Sequence, residues 1–205
     1  MNVMRTFDLV GYLAPLLVQG KHLLRLAIKH TTSWDEVLPT TITDSFATYF
    51  LKLEKCRDLV WSRAIVPEDA VDVSHGRLIG LADFAQNMVQ GVWAGFLRKN
   101  GEYSCSLVLG RAKIGSEDTT YTTARGELES TANLSALLRT VTNSMVGWID
   151  AELTIIGNDS EIALYWLLTD KLRLDVFARS KVSQFRLNAR VDQLYHVSTE
   201  SNLAD

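Results

Sequence analysis

The sequence predicts an α/β protein, a mixed sheet with helices packed on it, preceded by a small mainly helical segment. Three observations carry that expectation. Residues 78–114 hold three β-rich runs separated by short polar turns, residues 125–148 follow a long amphipathic helix pattern, and the remainder alternates strand, helix, helix, strand. Three antiparallel strands, then helix and strand in alternation, give a mixed sheet of five strands.

Each element has its own reason. Gly11 marks a turn, after which Leu16, Leu17, Leu23, Leu24 and Ala27 recur at near-helical spacing within 9–29. A polar loop over 31–39 carries Trp34, and Phe46, Phe50 and Leu53 share one face of a second helix over 43–58. Pro67-Glu68-Asp69 breaks the chain, which divides it near residue 70 into a segment 1–70 and a domain 71–205. Runs 78–85 and 89–97 flank Gln86-Asn87 as a hairpin, and 103–114 follows the turn Lys99-Asn100-Gly101. Leu134, Leu138, Val141, Met145 and Trp148 step by four, three, four and three along the long helix. A strand over 153–157, helices over 161–168 and 176–187, and a last strand over 191–197 complete the order. Trp93, Trp148 and Trp166 fall in apolar patterns and are expected in the core, and Trp61 is expected to pack the first segment on the second.

Composition narrows the function classes. With 47% apolar and 22% charged residues in 205, the chain is globular and long enough for a sizeable core. Its formal charge of −3 excludes nucleic-acid binding by bulk charge, so any such binding needs a local patch. Cys56 and Cys105 stand alone, which excludes a zinc or disulfide framework and suits a reducing compartment. The early uncharged run 9–20 contains Pro15 and is too short to span a bilayer, and no signal-peptide pattern opens the sequence. An intracellular chain, cytoplasmic or nuclear and off the membrane, is expected, with the sequons at Asn133 and Asn158 unused. No Asp-Thr-Gly or Asp-Ser-Gly of an aspartic protease occurs.

Three carboxylates fall in unusual places. Asp83 lies inside the apolar run 78–85 on the face of Ile79 and Leu81, where an uncompensated charge is expensive. Asp159 follows Leu153-Thr154-Ile155-Ile156-Gly157-Asn158 and shares a face with Leu153 and Ile155. Steps of four, three and four from Glu127 reach Thr131, Leu134 and Leu138, so Glu127 lies on or beside the core-facing stripe. Converging, the three would hold two divalent cations, Mg²⁺ or Mn²⁺, suited to phosphodiester cleavage. Structural roles account for the same residues: a strand end for Asp83, a first-turn carboxylate for Glu127, an N-cap for Asp159. Pattern alone leaves both open.

A set of motifs in order carries a resemblance. Phe7-Asp8-Leu9-Val10-Gly11-Tyr12-Leu13-Ala14-Pro15 is similar to Y-D-P-L-G-L-L-A-P, and Trp34-Asp35-Glu36-Val37-Leu38-Pro39 to W-D-E-x-L-P. Gly80-Leu81-Ala82-Asp83-Phe84-Ala85 resembles G-F-C-D-A-S, Arg125-Gly126-Glu127-Leu128 resembles R-L-E-L, and Asn158-Asp159-Ser160 matches a W-x-D-S region. Phe177-Ala178-Arg179-Ser180-Lys181-Val182 is like F-V-A-N-R-V, and His196-Val197-Ser198 through Asn202-Leu203-Ala204-Asp205 follows H-V-P-G-x-x-N-P-A-D. Together they resemble the tail of the BEL/Pao family of LTR-retrotransposon polyproteins, from behind the reverse-transcriptase palm through the ribonuclease H domain.

The resemblance implies a ribonuclease H-like α/β fold that cuts the RNA strand of an RNA–DNA hybrid with two metal ions. Asp83, Glu127 and Asp159 fall on the family's catalytic positions, Asp205 on its fourth carboxylate, and His196 precedes the loop before it, where it would either assist proton transfer or product release or serve the final strand structurally. Residues 1–70 would be the connecting region after the polymerase, which is the partner implied. Departures accompany the matches: Ala82, Ala85, Ala124 and Leu203 replace the family's Cys, Ser, Pro and Pro. The family's helix beyond the fourth carboxylate has no counterpart after Asp205, so the domain reads as C-terminally truncated with its three-carboxylate core intact.

Between the third and fourth carboxylates, Lys171, Arg173, Arg179, Lys181, Arg186 and Arg190 face one acid in sequence, Asp175. This run could contact hybrid phosphates, which position a substrate without reading its sequence, or form a solvated helix face. Two functions of different class follow: a metal-dependent ribonuclease H-type endonuclease, or a catalytically impaired retroelement remnant that binds nucleic acid or protein.

Overall fold

The structure is a computed structural model that describes residues 8–33, 35–62, 64–117, 121–170 and 173–205. Strands β1 (Arg77–Phe84), β2 (Asn87–Leu97) and β3 (Tyr103–Ile114) form an antiparallel meander, and β4 (Ile155–Asn158) and β5 (Leu194–His196) complete a five-stranded sheet ordered β3-β2-β1-β4-β5. Gly101, at φ +84°, makes the β2–β3 turn. Ile79 pairs with Ile155 and Leu81 with Gly157 in parallel, so the carboxyl ends of β1 and β4 lie at one edge. Ligand sites of open α/β sheets form at that edge.

The long helix α3 (Thr123–Ser144) crosses β1 and β2, and Leu128, Leu134, Leu138 and Val141 pack on Leu78, Ala82, Val92 and Phe96. Thr122 caps it by accepting from the Arg125 amide. Two glycines allow the close approach. A Cβ on Gly80 would lie 2.6 Å from Leu138 Cδ1, and one on Gly126 would lie 2.0 Å from the Phe84 ring. Helix α4 (Glu161–Leu168) is capped by Ser160 and α5 (Val176–Asn188) by Asp175, and Ala178, Val182 and Phe185 of α5 join the same core.

Before the sheet stand α1 (Ala14–His30) and α2 (Thr40–Lys55), with α1 packed against β3. Asp8 organises the entry to α1: Oδ1 accepts from the amides of Gly11 and Tyr12, and Oδ2 from that of Leu13. Gly11 has φ +87° and its backbone lies against Gly110, whose N–H donates to Val10 O at 2.6 Å. Trp61 stacks on Tyr12 at 4.8 Å between centroids, within the first segment, and it is Tyr12 that reaches the sheet by donating to Leu107 O. Arg25 donates to Gly115 O from α1.

Several boundaries differ from the periodicity, each for a local reason. The first helix begins at Ala14, after the expected turn at Gly11, which Asp8 holds. The second runs Thr40–Lys55 rather than 43–58, starting directly after Pro39. Met145 caps α3, and Gly147 at φ +86° turns the chain away, so Trp148 leaves the helix and is 51% exposed instead of buried. Trp166 does pack against the core and Trp93 is half-buried. Leu153 belongs to a 3₁₀ turn, Ala151–Leu153, started by Asp150 accepting from the Glu152 amide, so β4 begins at Ile155. Residues Val191–Gln193 form another such turn, which shortens the last strand to Leu194–His196.

Candidate metal centre

At the shared edge of β1 and β4, Asp83, Glu127 and Asp159 each offer a carboxylate oxygen, and the three oxygens lie within 4.8 Å of one another. Asp83 and Glu127 are buried and Asp159 is half-buried. The structural roles open to Glu127 and Asp159 are not the ones they take, while Asp83 does stand near a strand end. Asp83 is the last residue but one of β1, paired opposite Val89. Glu127 sits one full turn beyond Thr123, the first residue of α3, and Ser160 rather than Asp159 caps α4.

The donors around the carboxylates among the described residues are neutral. Phe84 N–H reaches Glu127 Oε1 at 3.2 Å, Asn158 Nδ2 reaches Glu127 Oε2 at 3.0 Å, and Thr199 Oγ1 reaches Asp159 Oδ2 at 2.9 Å. Burial, then repulsion from Asp159 and Asp205, pushes the Asp83 carboxyl up to about 6. Burial also raises Glu127, to about 7, aided by Asp83 and Asp159 and opposed by the Asn158 hydrogen bond. Like charges held together in a partly dry site at this cost are what a hard cation relieves. An all-oxygen donor set at this spacing fits Mg²⁺ or Mn²⁺.

The other sequence-derived candidates are placed around this trio. Asp205 lies outside it but close enough to raise Asp83, and its N–H donates to Asn202 O. Asn202 is buried and donates to Ala82 O at 3.2 Å, which docks the last residues beside β1. His196 is exposed and its Nε2 meets the backbone carbonyl of Asp159 at 3.2 Å, not a carboxylate.

The basic run does not form one free patch. Lys181 pairs with Glu129 of α3, Arg186 with Asp170, and Arg190 with Glu152 and Asp192. Arg173 and Arg179 are exposed, and Arg179 reaches back to Leu174 O. Lys171, like the motif residues Phe7 and Trp34, lies outside the described residues.

Sequence reasoning gave no role to three neutral residues: Asn158 and Asn202, noted only within motifs, and Thr199. Asn158 drew notice as a sequon and as a neighbour of Asp159 in a motif, with no role of its own, and its complete burial puts it beyond any glycan. The sequence signal for such a role is position, a polar residue closing an apolar strand directly before Asp159.

Among the described residues, no helix is long and apolar enough to cross a membrane. Residues 1–159 match the family model of the Pao retrotransposon-like RNaseH-like domain, a span that includes both leading helices and all three clustered carboxylates. No curated protein matches the sequence. Among solved structures, the chain is similar to RNase H1 from the halophilic archaeon Halobacterium salinarum NRC-1, at 16% identity over 63% of this chain and 91% of that one, TM-score 0.39. It is similar also to LC11-RNase H1, isolated from compost, at 13% identity over 63% of this chain and 88% of that one, TM-score 0.34.

Proposed function

The chain belongs to the Pao retrotransposon-like RNaseH-like domain family, and from that membership we propose that it is a metal-dependent endonuclease hydrolysing the RNA strand of RNA–DNA hybrids. One observation carries the reading: carboxylates from β1, from α3 and from the residue after β4 converge within 4.8 Å with neutral donors around them. In this reading residues 1–70 are the connecting segment behind a reverse-transcriptase polymerase, and residues 71–205 are the nuclease domain.

Asp83, Glu127 and Asp159 would hold two Mg²⁺ or Mn²⁺ ions, with Asp205 contributing from the rim. When bound, such ions neutralise the phosphodiester and supply an activated water for in-line attack. The protein's own contribution is placement. Glu127, held at both oxygens, would orient the water, and Asp159 is steadied by Thr199. His196, whose Nε2 lies 3.2 Å from the Asp159 backbone carbonyl, would exchange protons with the departing product. Arg173 and Arg179, with Lys171, Lys181, Arg186 and Arg190 as a wider set, would meet backbone phosphates. Contacts to the ribose 2′-hydroxyl would mark the RNA strand.

The test is cleavage of a labelled RNA–DNA hybrid in Mg²⁺ or Mn²⁺, comparing the chain with Asp83→Asn. Cleavage abolished by the substitution is expected. A folded chain that binds the hybrid without cutting it in either ion would replace this reading with that of a binding remnant.

A further inference from the structure

We infer that Asn158 is the positioning residue of the carboxylate centre, its single side-chain amide holding the three acid-bearing elements in one register. This rests on the nuclease reading above and adds a residue to it.

Asn158 closes β4 with no exposed surface. Its Oδ1 accepts from the Ser160 amide at 2.6 Å, which fixes the orientation of the group and turns Nδ2 inward. Around Nδ2 lie Glu127 Oε2 at 3.0 Å, Thr131 Oγ1 at 3.1 Å and Ala82 O at 3.3 Å. Three of these contacts each belong to a different carboxylate. Ala82 directly precedes Asp83, Glu127 is contacted itself, and Ser160 directly follows Asp159. Thr131 strengthens the α3 contact, because its hydroxyl donates to Glu127 O at 2.9 Å and therefore accepts from Asn158.

A neutral amide suits this position for two reasons. It supplies donor and acceptor at once, so it can serve a carboxylate on one side and a backbone N–H on the other. It also adds no charge, so it orients Glu127 without competing for the cation, as a Lys or Arg there would. Partners that orient metal-binding carboxylates typically cost ten- to hundredfold in metal affinity or activity when removed.

The experiment uses the full chain with Asn158→Ala and Asn158→Ser, the second keeping a hydroxyl too short to reach Glu127. Mn²⁺ binding is measured by calorimetry without nucleic acid, hybrid cleavage is resolved into kcat and KM, and folding is followed by circular dichroism. Both variants are expected to keep the native spectrum, to bind Mn²⁺ about ten- to hundredfold more weakly, and to lose kcat with KM for the hybrid little changed. Unaltered Mn²⁺ affinity and kcat in a folded variant overturn the assignment, and loss of the native spectrum in both variants overturns it too, assigning Asn158 to the fold alone. Failure of the unsubstituted chain to bind Mn²⁺ would instead bring down the nuclease reading, and the positioning role with it.

Discussion

Asn158 and Asn202, from β4 and from the last residues of the chain, donate to one acceptor, the carbonyl of Ala82, at 3.3 and 3.2 Å. Two buried amides thus converge on the peptide that leads into Asp83. The C-terminal residues are thereby part of the site's frame, since Asn202 also accepts from the Ala204 amide through its Oδ1.

Asn202→Ala should loosen that frame. Removing a buried, doubly bonded amide costs about 1–3 kcal/mol, and for a chain of this size each kcal/mol lowers Tm by about 2–4 °C. Thermal unfolding with and without the substitution checks it. An unchanged Tm would show that the last residues do not hold to Ala82 in solution.

Divalent cations should stabilise the chain through the trio. At a hundredfold excess over Kd, binding to the folded state adds about 2.7 kcal/mol, or about 5–10 °C in Tm at the same conversion. Mn²⁺ should therefore raise the Tm of the unsubstituted chain and leave that of Asp83→Asn nearly still. Equal shifts in both would place the binding elsewhere.

The pH dependence of the metal-free chain has a definite sign. Asp83 and Glu127 hold their protons more tightly folded than unfolded, with values near 6 and 7 against ordinary values of 3.8 and 4.5. Their contribution is complete below the unfolded values and is lost as pH rises through the folded ones, each unit of difference corresponding to about 1.4 kcal/mol. Asp72 and Asp175, lowered by their hydrogen bonds, act in the opposite sense at more acid pH. In chelator, Asp83→Asn should gain Tm relative to the unsubstituted chain between pH 4 and pH 7. A difference that stays flat across this range contradicts the burial of Asp83.

The two close-packing glycines should differ in their tolerance. A Cβ at Gly80 meets the end of a flexible leucine, whereas one at Gly126 meets the face of Phe84 beside Asp83. Gly126→Ala should cost about 1–3 kcal/mol in overpacking, offset by up to about 1 kcal/mol of helix propensity, and should weaken Mn²⁺ binding by moving Glu127. Gly80→Ala should be the milder change in both denaturant midpoint and metal affinity.

What the sequence revealed follows the range of the interactions. Asp83 in an apolar run and Glu127 on a core-facing stripe were legible because burial patterns are local, and the order of strands and helices for the same reason. The helix end at Ser144 was missed because apolar spacing continues to Trp148, while Gly147, a single residue, redirects the backbone. Counting charges along 171–190 overstated the basic surface, since Glu129 and Glu152 come from distant positions to pair with Lys181 and Arg190. Asn158 was illegible as a partner because its role depends on β4 lying parallel to β1, a pairing across more than seventy residues.

The strap formed by Val10 and Tyr12 has a consequence for solubility. Strand β3 is the outermost strand of the sheet, and β2 occupies only one of its sides. On β3, Gly110 N–H is taken by Val10 and Leu107 C=O by Tyr12. Open strand edges recruit other chains, so Val10 and Tyr12 guard this stretch of β3 against edge-to-edge association, and removing them would leave the Gly110 N–H and Leu107 C=O open to another strand.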